Sequence, residues 1–503
     1  MKRSALLFVL LFGMAGPAFS QTAAPSAASS PGSQTADPHG WLNTETLRTP
    51  YGDFDFKNGY PSGDTAARLL ETQKLNRAVD VYTTQMMRVS EIATREGIRA
   101  FGATTPQDVV IWENLMDAKT VLLTANTETV YAIAHLNLKA DGPTVIEAPP
   151  RMLGFIQDGL QRYLADIGPL GPDKGAGGKF LVLPPGYNGS VPDGYFVSGS
   201  PTYSALFAVR GFQVDDKTDQ AVALMKQIKV YPLEKAASPP SMQFLNGSNQ
   251  AIDTVFPDTI RYFELLAKLV DEEPAELFDP TERWQMQAIG IEKGKPFNPD
   301  ARTKALLSEA ARIGGAIARA NTYSDPTTVP YYPSRKWQGI PVGMTYTFAR
   351  DGAPQIDARN NVYYMAAGNS PAMMEKNVGQ GSQYLWTYRD ASGAFLDGAK
   401  SYRLHVLPNI PAKNFWSIVV YDALSRSELQ SDQHLPSVSS YTKPRINVDG
   451  SVDIVFSPSK PKDDANWIQT VPGKGWFPIF RFYSPTEAYF EKSWVLNDIE
   501  AVN

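Results

Sequence analysis

The side chains best placed for acid/base chemistry lie in stretches far apart along the chain. One is Thr124-Ala125-Asn126-Thr127-Glu128-Thr129-Val130-Tyr131, ahead of the apolar strand Ala132 to Leu138. A carboxylate at a strand entrance can point into a cleft. Glu128 is the expected acid/base there, with Asn126 and Tyr131 as orienting hydrogen-bonders. The plainer reading is that Asn126 and the Thr hydroxyls satisfy loop backbone. Another stretch is Phe415-Trp416-Ser417-Ile418-Val419-Val420-Tyr421-Asp422, apolar on both faces and ended by a carboxylate. Apolar surroundings raise a carboxyl pKa and suit it to proton transfer, so Asp422 is the expected partner of Glu128. It can equally cap a neighbouring loop. Arg481 and Tyr483 alternate with Phe480 and Phe482 and so share a strand face. An Arg there can fork onto a carboxylate, either a substrate's or one of the protein's own. Trp467 and Trp476 sit in turn-rich sequence and offer a stacking platform for a sugar or planar ligand. Core packing is the default for these rings and for Trp337, Trp386, Trp416 and Trp494.

Other chemistries find less support. Ser417 lies inside a strand with no Gly-x-Ser-x-Gly elbow around it. Gly175-Ala176-Gly177-Gly178 precedes a strand, whereas a phosphate-cradling loop follows a strand into a helix. Cys is absent, which removes disulfides, thiolate metal sites and a Cys nucleophile. Only His39, His135, His405 and His434 are present. With His39 in a linker, a three-His zinc site would need the other three together. No metal and no particular cofactor is expected. Glu272 and Glu273 read as a solvated face. His405 shares a polar strand face with Arg403. Asp397-Gly398 and Asp449-Gly450 are turn dipeptides, the second a hairpin signal.

The elements that must position these residues are mostly strands. Short β-branched and aromatic runs recur from Ala394 to Trp494, separated by Gly, Pro, Asn and Asp, as in a β-sandwich or jelly roll. Tyr402, Leu404 and Val406 share one strand face, and Val452, Ile454 and Phe456 another. Thr144 to Pro150 reads as the hairpin partner of Ala132 to Leu138. Thr65 to Gly97 has helical spacing, as do Ala221 to Ile228, Asp258 to Val270, Pro280 to Ile289 and Asp300 to Ala320. Asp258 and Asp279-Pro280 are expected helix starts, and Gly314-Gly315 marks close packing. The fold class is therefore mainly β with a helical insert: two sandwich or jelly-roll-like modules, α+β overall.

With 503 residues the chain is long enough for several domains, and 43% hydrophobic content supplies a full core. The net charge of -5 leaves no basic footprint for nucleic acid. Met1-Lys2-Arg3, the apolar Ala5 to Met14 and Ala18-Phe19-Ser20 have the form of a secretory signal peptide cut after Ser20. No later segment is long and apolar enough to span a membrane. The expected organisation is a signal peptide (1–20), a flexible linker (21–40), an amino-terminal β-rich domain with a leading helix (41–215), a helical connection (216–330) and a carboxy-terminal jelly-roll-like domain (331–503).

Asn126-x-Glu128-Thr129-x-Tyr131, Gly177-Gly178-Lys179-x-Leu181, Leu183-Pro184-Pro185-Gly186-Tyr187 and Pro192-x-Gly194-Tyr195 together resemble the first half of a bacterial tandem family. That family joins two domains of unknown function, twelve-fifty-four and twelve-fourteen. Ile291 to Phe297 is similar to its linker. Leu396-Asp397-Gly398, Phe415-Trp416-Ser417, Val420-Tyr421-Asp422, Asp449-Gly450-Ser451, Asn466-Trp467 and Arg481-x-Tyr483 are similar to its second half. The resemblance implies two sandwich modules with a helical connection, and no catalytic set. Glu128 stands where the family usually has Asp, and Ser431-Asp432-Gln433-His434 replaces a more Asn-rich loop.

The expected function is a periplasmic or secreted acid/base enzyme of hydrolase-like type. Its substrate would be small, polar or sugar-like, bound in a cleft between the β-rich halves. Glu128 and Asp422 would be catalytic; Asn126, Tyr131, Trp467, Arg481 and Tyr483 would bind substrate. The alternative is a non-catalytic periplasmic protein for ligand binding or assembly, with self-association into a homo-oligomer left open.

Overall fold

A computed structural model describes residues 45–340, 345–463 and 465–502. The expected signal peptide, the linker and His39 lie outside the described residues. The chain divides into two compact units, one ending at Gln73 and the other beginning at Lys74. In the first, Glu45–Thr49, Gly52–Lys57 and Tyr60–Pro61 pair as an antiparallel three-stranded sheet. The second unit carries everything else discussed below.

The second unit is mainly β. A six-stranded sheet has the order Gln243–Asn246, Asp108–Ile111, Thr129–Asn137, Ser204–Phe212, Met152–Asp158, Tyr163–Ile167. Alternation gives it two different faces. Val130, Ala132, Ala134, Phe207 and Val209 meet Ile146, Phe180, Val182 and Val230 of a four-stranded sheet in one core. That sheet runs Phe196–Gly199, Gly178–Leu183, Thr144–Ala148, Lys229–Pro232. The expected Ala132–Leu138/Thr144–Pro150 hairpin is therefore incorrect, because the two strands belong to different sheets. The helical turn Leu138–Asp141, capped by the Asn137 side chain on Ala140 N, carries the chain from one layer to the other.

A second sandwich follows. Its five-stranded sheet has the order Gln338–Gly339, Ser382–Trp386, Trp476–Pro485, Ala412–Asp422, Ser437–Ser439, and its four-stranded sheet the order Asn466–Gln469, Val452–Ser457, Ser401–Val406, Glu500–Val502. Trp416, Ile418, Val420, Phe480 and Phe482 face Tyr402, Leu404, Val406, Val452, Ile454 and Phe456 across a shared core. Arg403 and His405 take the outer side and meet Asp453 at 2.9 and 2.8 Å. Val448 to Ser451 forms a turn into Val452–Ser457 and closes no hairpin, since that strand pairs with Ser401–Val406 and Asn466–Gln469. Trp476 is buried in this core, stacked on Phe456, so it offers no ligand platform.

Helices Ile260–Glu272, Pro280–Ala288 and Ala301–Ser324 pack with the later turns of Thr65–Phe101 around Tyr82, Tyr262 and Phe263. Asp279 closes a capping box with Glu282. Thr259, rather than Asp258, caps Ile260–Glu272; Asp258 instead accepts the Tyr82 hydroxyl. Gly314 lies so close to Tyr82 that a Cβ would stand 2.4 Å from the ring, and a Cβ on Gly315 would meet the Asp258 carboxylate. Among the described residues no helix is long and apolar enough to cross a membrane.

Candidate active site at the seam between the sandwiches

The outer face of the five-stranded sheet carries polar groups among aromatic rings. Register places Ser417 opposite Arg481, Phe415 opposite Tyr483 and Tyr421 opposite Phe477, so these share a face turned away from the sandwich core. The loop Thr124 to Thr129 lies against it. Arg481 donates to the Tyr421 hydroxyl at 2.6 Å and to the Thr124 carbonyl at 2.7 Å. The Tyr421 hydroxyl donates to the Ala125 carbonyl, and Thr124 N to the Arg426 carbonyl at 2.8 Å. The Asn126 side-chain N–H donates to the Tyr483 hydroxyl. Its oxygen accepts from Glu128 N at 2.7 Å, Thr129 N at 3.1 Å and the Thr129 hydroxyl at 3.2 Å. Asn126 thus folds its own loop, as the plainer reading holds, while also reaching the other sandwich.

Glu128 is 2% exposed. Burial pushes its carboxyl up, while the Thr127 hydroxyl, Arg481, Ser417 and Ser437 work in the opposite direction. Beside it lies Glu428, 1% exposed, whose backbone bridges to Tyr421. Neither Glu428 carboxylate oxygen has a hydrogen-bond partner among the described residues. Burial drives Glu428 well above the ordinary carboxylate range, and the charges of Glu128 and Asp117 add to the effect. Two close buried carboxyls do not both ionise readily. Arg481 keeps its charge against burial through Tyr421, Tyr483 and Glu128.

Across the seam, the outer face of the six-stranded sheet presents Arg210, in register with Tyr131 and 5.8 Å from the Tyr483 ring centre. Tyr131, Tyr384 and Tyr483 sustain its charge despite burial. Farther along the same face burial pushes Asp166 up to about 6, against the opposing pull of Ser370, Ala372 N–H and Arg210.

The loop just described falls within a match to Protein of unknown function (DUF1254) at residues 106–232, and the facing sheet within a match to Protein of unknown function (DUF1214) at residues 381–487. The chain belongs to this tandem family. None of the curated proteins compared with it matches. Among solved structures, the tandem-family chain is similar to the VPA0106 protein from Vibrio parahaemolyticus, at 18% identity and a TM-score of 0.50, covering 86% of this chain and 100% of that one. It is also similar to an uncharacterized protein from Burkholderia cenocepacia, at 12% identity and a TM-score of 0.39, covering 86% of this chain and 94% of that one. The first likeness speaks to the fold alone.

Within this family member, the residues expected to form one site divide. Glu128, Asn126, Arg481 and Tyr483 come together, and Tyr131 joins them through Arg210. Asp422 does not. Strand alternation turns it away from Tyr421, toward the sandwich side with Trp476. There it pairs with Lys474 and accepts from Leu424 N at 2.7 Å and Ser425 N at 3.2 Å. It is a turn cap with an ion pair, not the partner of Glu128. Trp467 lies on the edge strand of the other sheet and donates to the Ser457 carbonyl at 3.0 Å. Glu428 is the carboxylate that sequence reasoning missed. Its strand partner Tyr421 offers the one local hint, since a bridge residue there must follow that strand into the seam.

Proposed function

We propose that the chain is an exported acid/base enzyme of hydrolase-like type, acting on a small polar or sugar-like substrate at the seam. Glu428 takes the role first given to Asp422. One observation carries this reading: a fully buried carboxyl with both oxygens unpartnered, beside a second buried carboxyl. Buried polar groups that only hold a fold together are nearly always hydrogen-bonded. Perturbed carboxyls gathered with a buried Arg are a recurring mark of reacting groups. Glu428, held protonated, would donate to a leaving oxygen. Glu128, nearer Arg481 and three hydroxyls, would accept a proton from attacking water. Asn126 and Tyr483 fix the loop that carries Glu128, and Arg210 with Tyr131 supplies charge and a hydroxyl for the substrate. Because both carboxyls are buried, substrate reaches them only when the seam opens. Export rests on the Met1 to Ser20 pattern.

The test is an activity screen over esters and glycosides, followed by Glu128→Gln and Glu428→Gln. Each should lower turnover by roughly a hundredfold or more with the fold retained. Unchanged turnover in both variants would remove the seam from catalysis. The closure of the cluster favours a second reading, a non-catalytic ligand-binding or assembly protein. Ligand affinity without turnover in any assay would select it.

A further inference from the structure

A separate polar cavity of about 250 Å³ lies away from the seam, between the helix Thr65–Phe101 and the strand Thr129–Asn137. Its size suits about eight waters, or one small organic ion. Arg95, Arg99, His135, Lys139, Tyr203, Asp108, Glu272 and Glu273 contribute to its wall. Glu91, Arg95 and Arg99 recur every fourth residue and so lie along one helix face. His135 stands on the strand opposite, its side chain 9% exposed, with Nε2 3.2 Å from Glu91 Oε1. Neither ring nitrogen has a hydrogen bond among the described residues.

The acids on the wall are already engaged. Asp108 accepts from Thr104 N at 2.9 Å, Thr105 N at 2.7 Å and the Thr105 hydroxyl at 2.9 Å. Glu273, read from sequence as solvated, is fully buried and takes Tyr203 N at 2.6 Å, Ser204 N at 3.0 Å and the Ser204 hydroxyl. Glu272 pairs with Arg95. The groups left over are cationic. Arg99 and Lys139 are exposed and form no ion pair among the described residues; Lys139 sits 5.6 Å over the Tyr203 ring.

We infer that this cavity binds a small organic anion. Its oxyanion group lies between Arg99 and Lys139, against the wall to which His135 contributes, with His135 Nε2 facing Glu91. Carboxylate and phosphate share the chemistry, so both are probed. Isothermal titration with succinate and with inorganic phosphate should show saturable binding of at least one, and which one names the class. The Arg99→Ala/Lys139→Ala double variant removes two exposed side chains, so folding is kept. It should weaken binding roughly tenfold or more, the loss of one or two charge-assisted contacts. In the NMR spectrum the His135 ring signals, assigned with His135→Gln, should move on addition of the bound anion. Absence of binding by either probe overturns the inference. So does affinity unchanged in the double variant, or binding that leaves the His135 signals in place.

Discussion

The side-chain amide of Asn126 and the hydroxyl of Tyr483 are hydrogen-bonded across 357 positions of chain. Because the amide oxygen is occupied by Glu128 N and Thr129 N, its nitrogen must be the end that faces Tyr483. One side chain therefore shapes the loop carrying Glu128 and fastens it to the second sandwich. Replacing Asn126 by Ala leaves buried N–H groups and a buried phenol without partners. The expected cost is about 2–4 kcal/mol, seen as a lowered midpoint in thermal or denaturant unfolding.

Glu428 links stability to pH. Its folded-state pKa is raised, so the stability it contributes is fully present below the ordinary carboxylate value of 4.5 and is lost as pH rises toward the folded value. Glu428→Gln keeps the shape and stays neutral. It should unfold at a higher temperature than the wild type near neutral pH, with the difference vanishing below 4.5. A melting temperature for the variant at or below that of the wild type at neutral pH would mean the carboxyl is ionised in the fold.

Asp422→Asn keeps the oxygen that accepts from Leu424 N and Ser425 N and loses only the charge opposite Lys474, a half-exposed partner. The expected cost is about 1 kcal/mol or less. Turnover of a substrate found by screening should be unchanged, in contrast to the two Glu→Gln variants, when kcat is compared across the three.

Gly314→Ala forces a methyl group into the Tyr82 ring inside the helix Ala301–Ser324. The gain in helix propensity is about 1 kcal/mol. Overpacking against a buried ring costs about 1–3 kcal/mol, so the net effect is destabilising or close to neutral. An equilibrium denaturation curve decides it; clear stabilisation would show that the helices are free to shift apart.

The strands were legible where alternation is local. Tyr402, Leu404 and Val406, or Phe480 and Phe482 against Arg481 and Tyr483, declare their faces within six residues. Sheet membership was not legible. Thr144–Ala148 follows Thr129–Asn137 closely, yet pairs with Gly178–Leu183 and Lys229–Pro232, a choice made by long-range packing. The same limit hid Glu428 and Glu273, each buried by residues distant in sequence. The error over Asp422 was avoidable. Counting by twos from Ser417 reaches Tyr421, so Asp422 had to point to the other side of the strand.

The backbone of Thr124 and Ala125 is completed by Arg481, Tyr421 and Arg426, all from the second sandwich. Expressed without its neighbour, the DUF1254 half would leave those carbonyls and amides to water and bare the aromatic face that covers them. The pair is therefore expected to melt together, because parting the halves leaves this backbone without its partners.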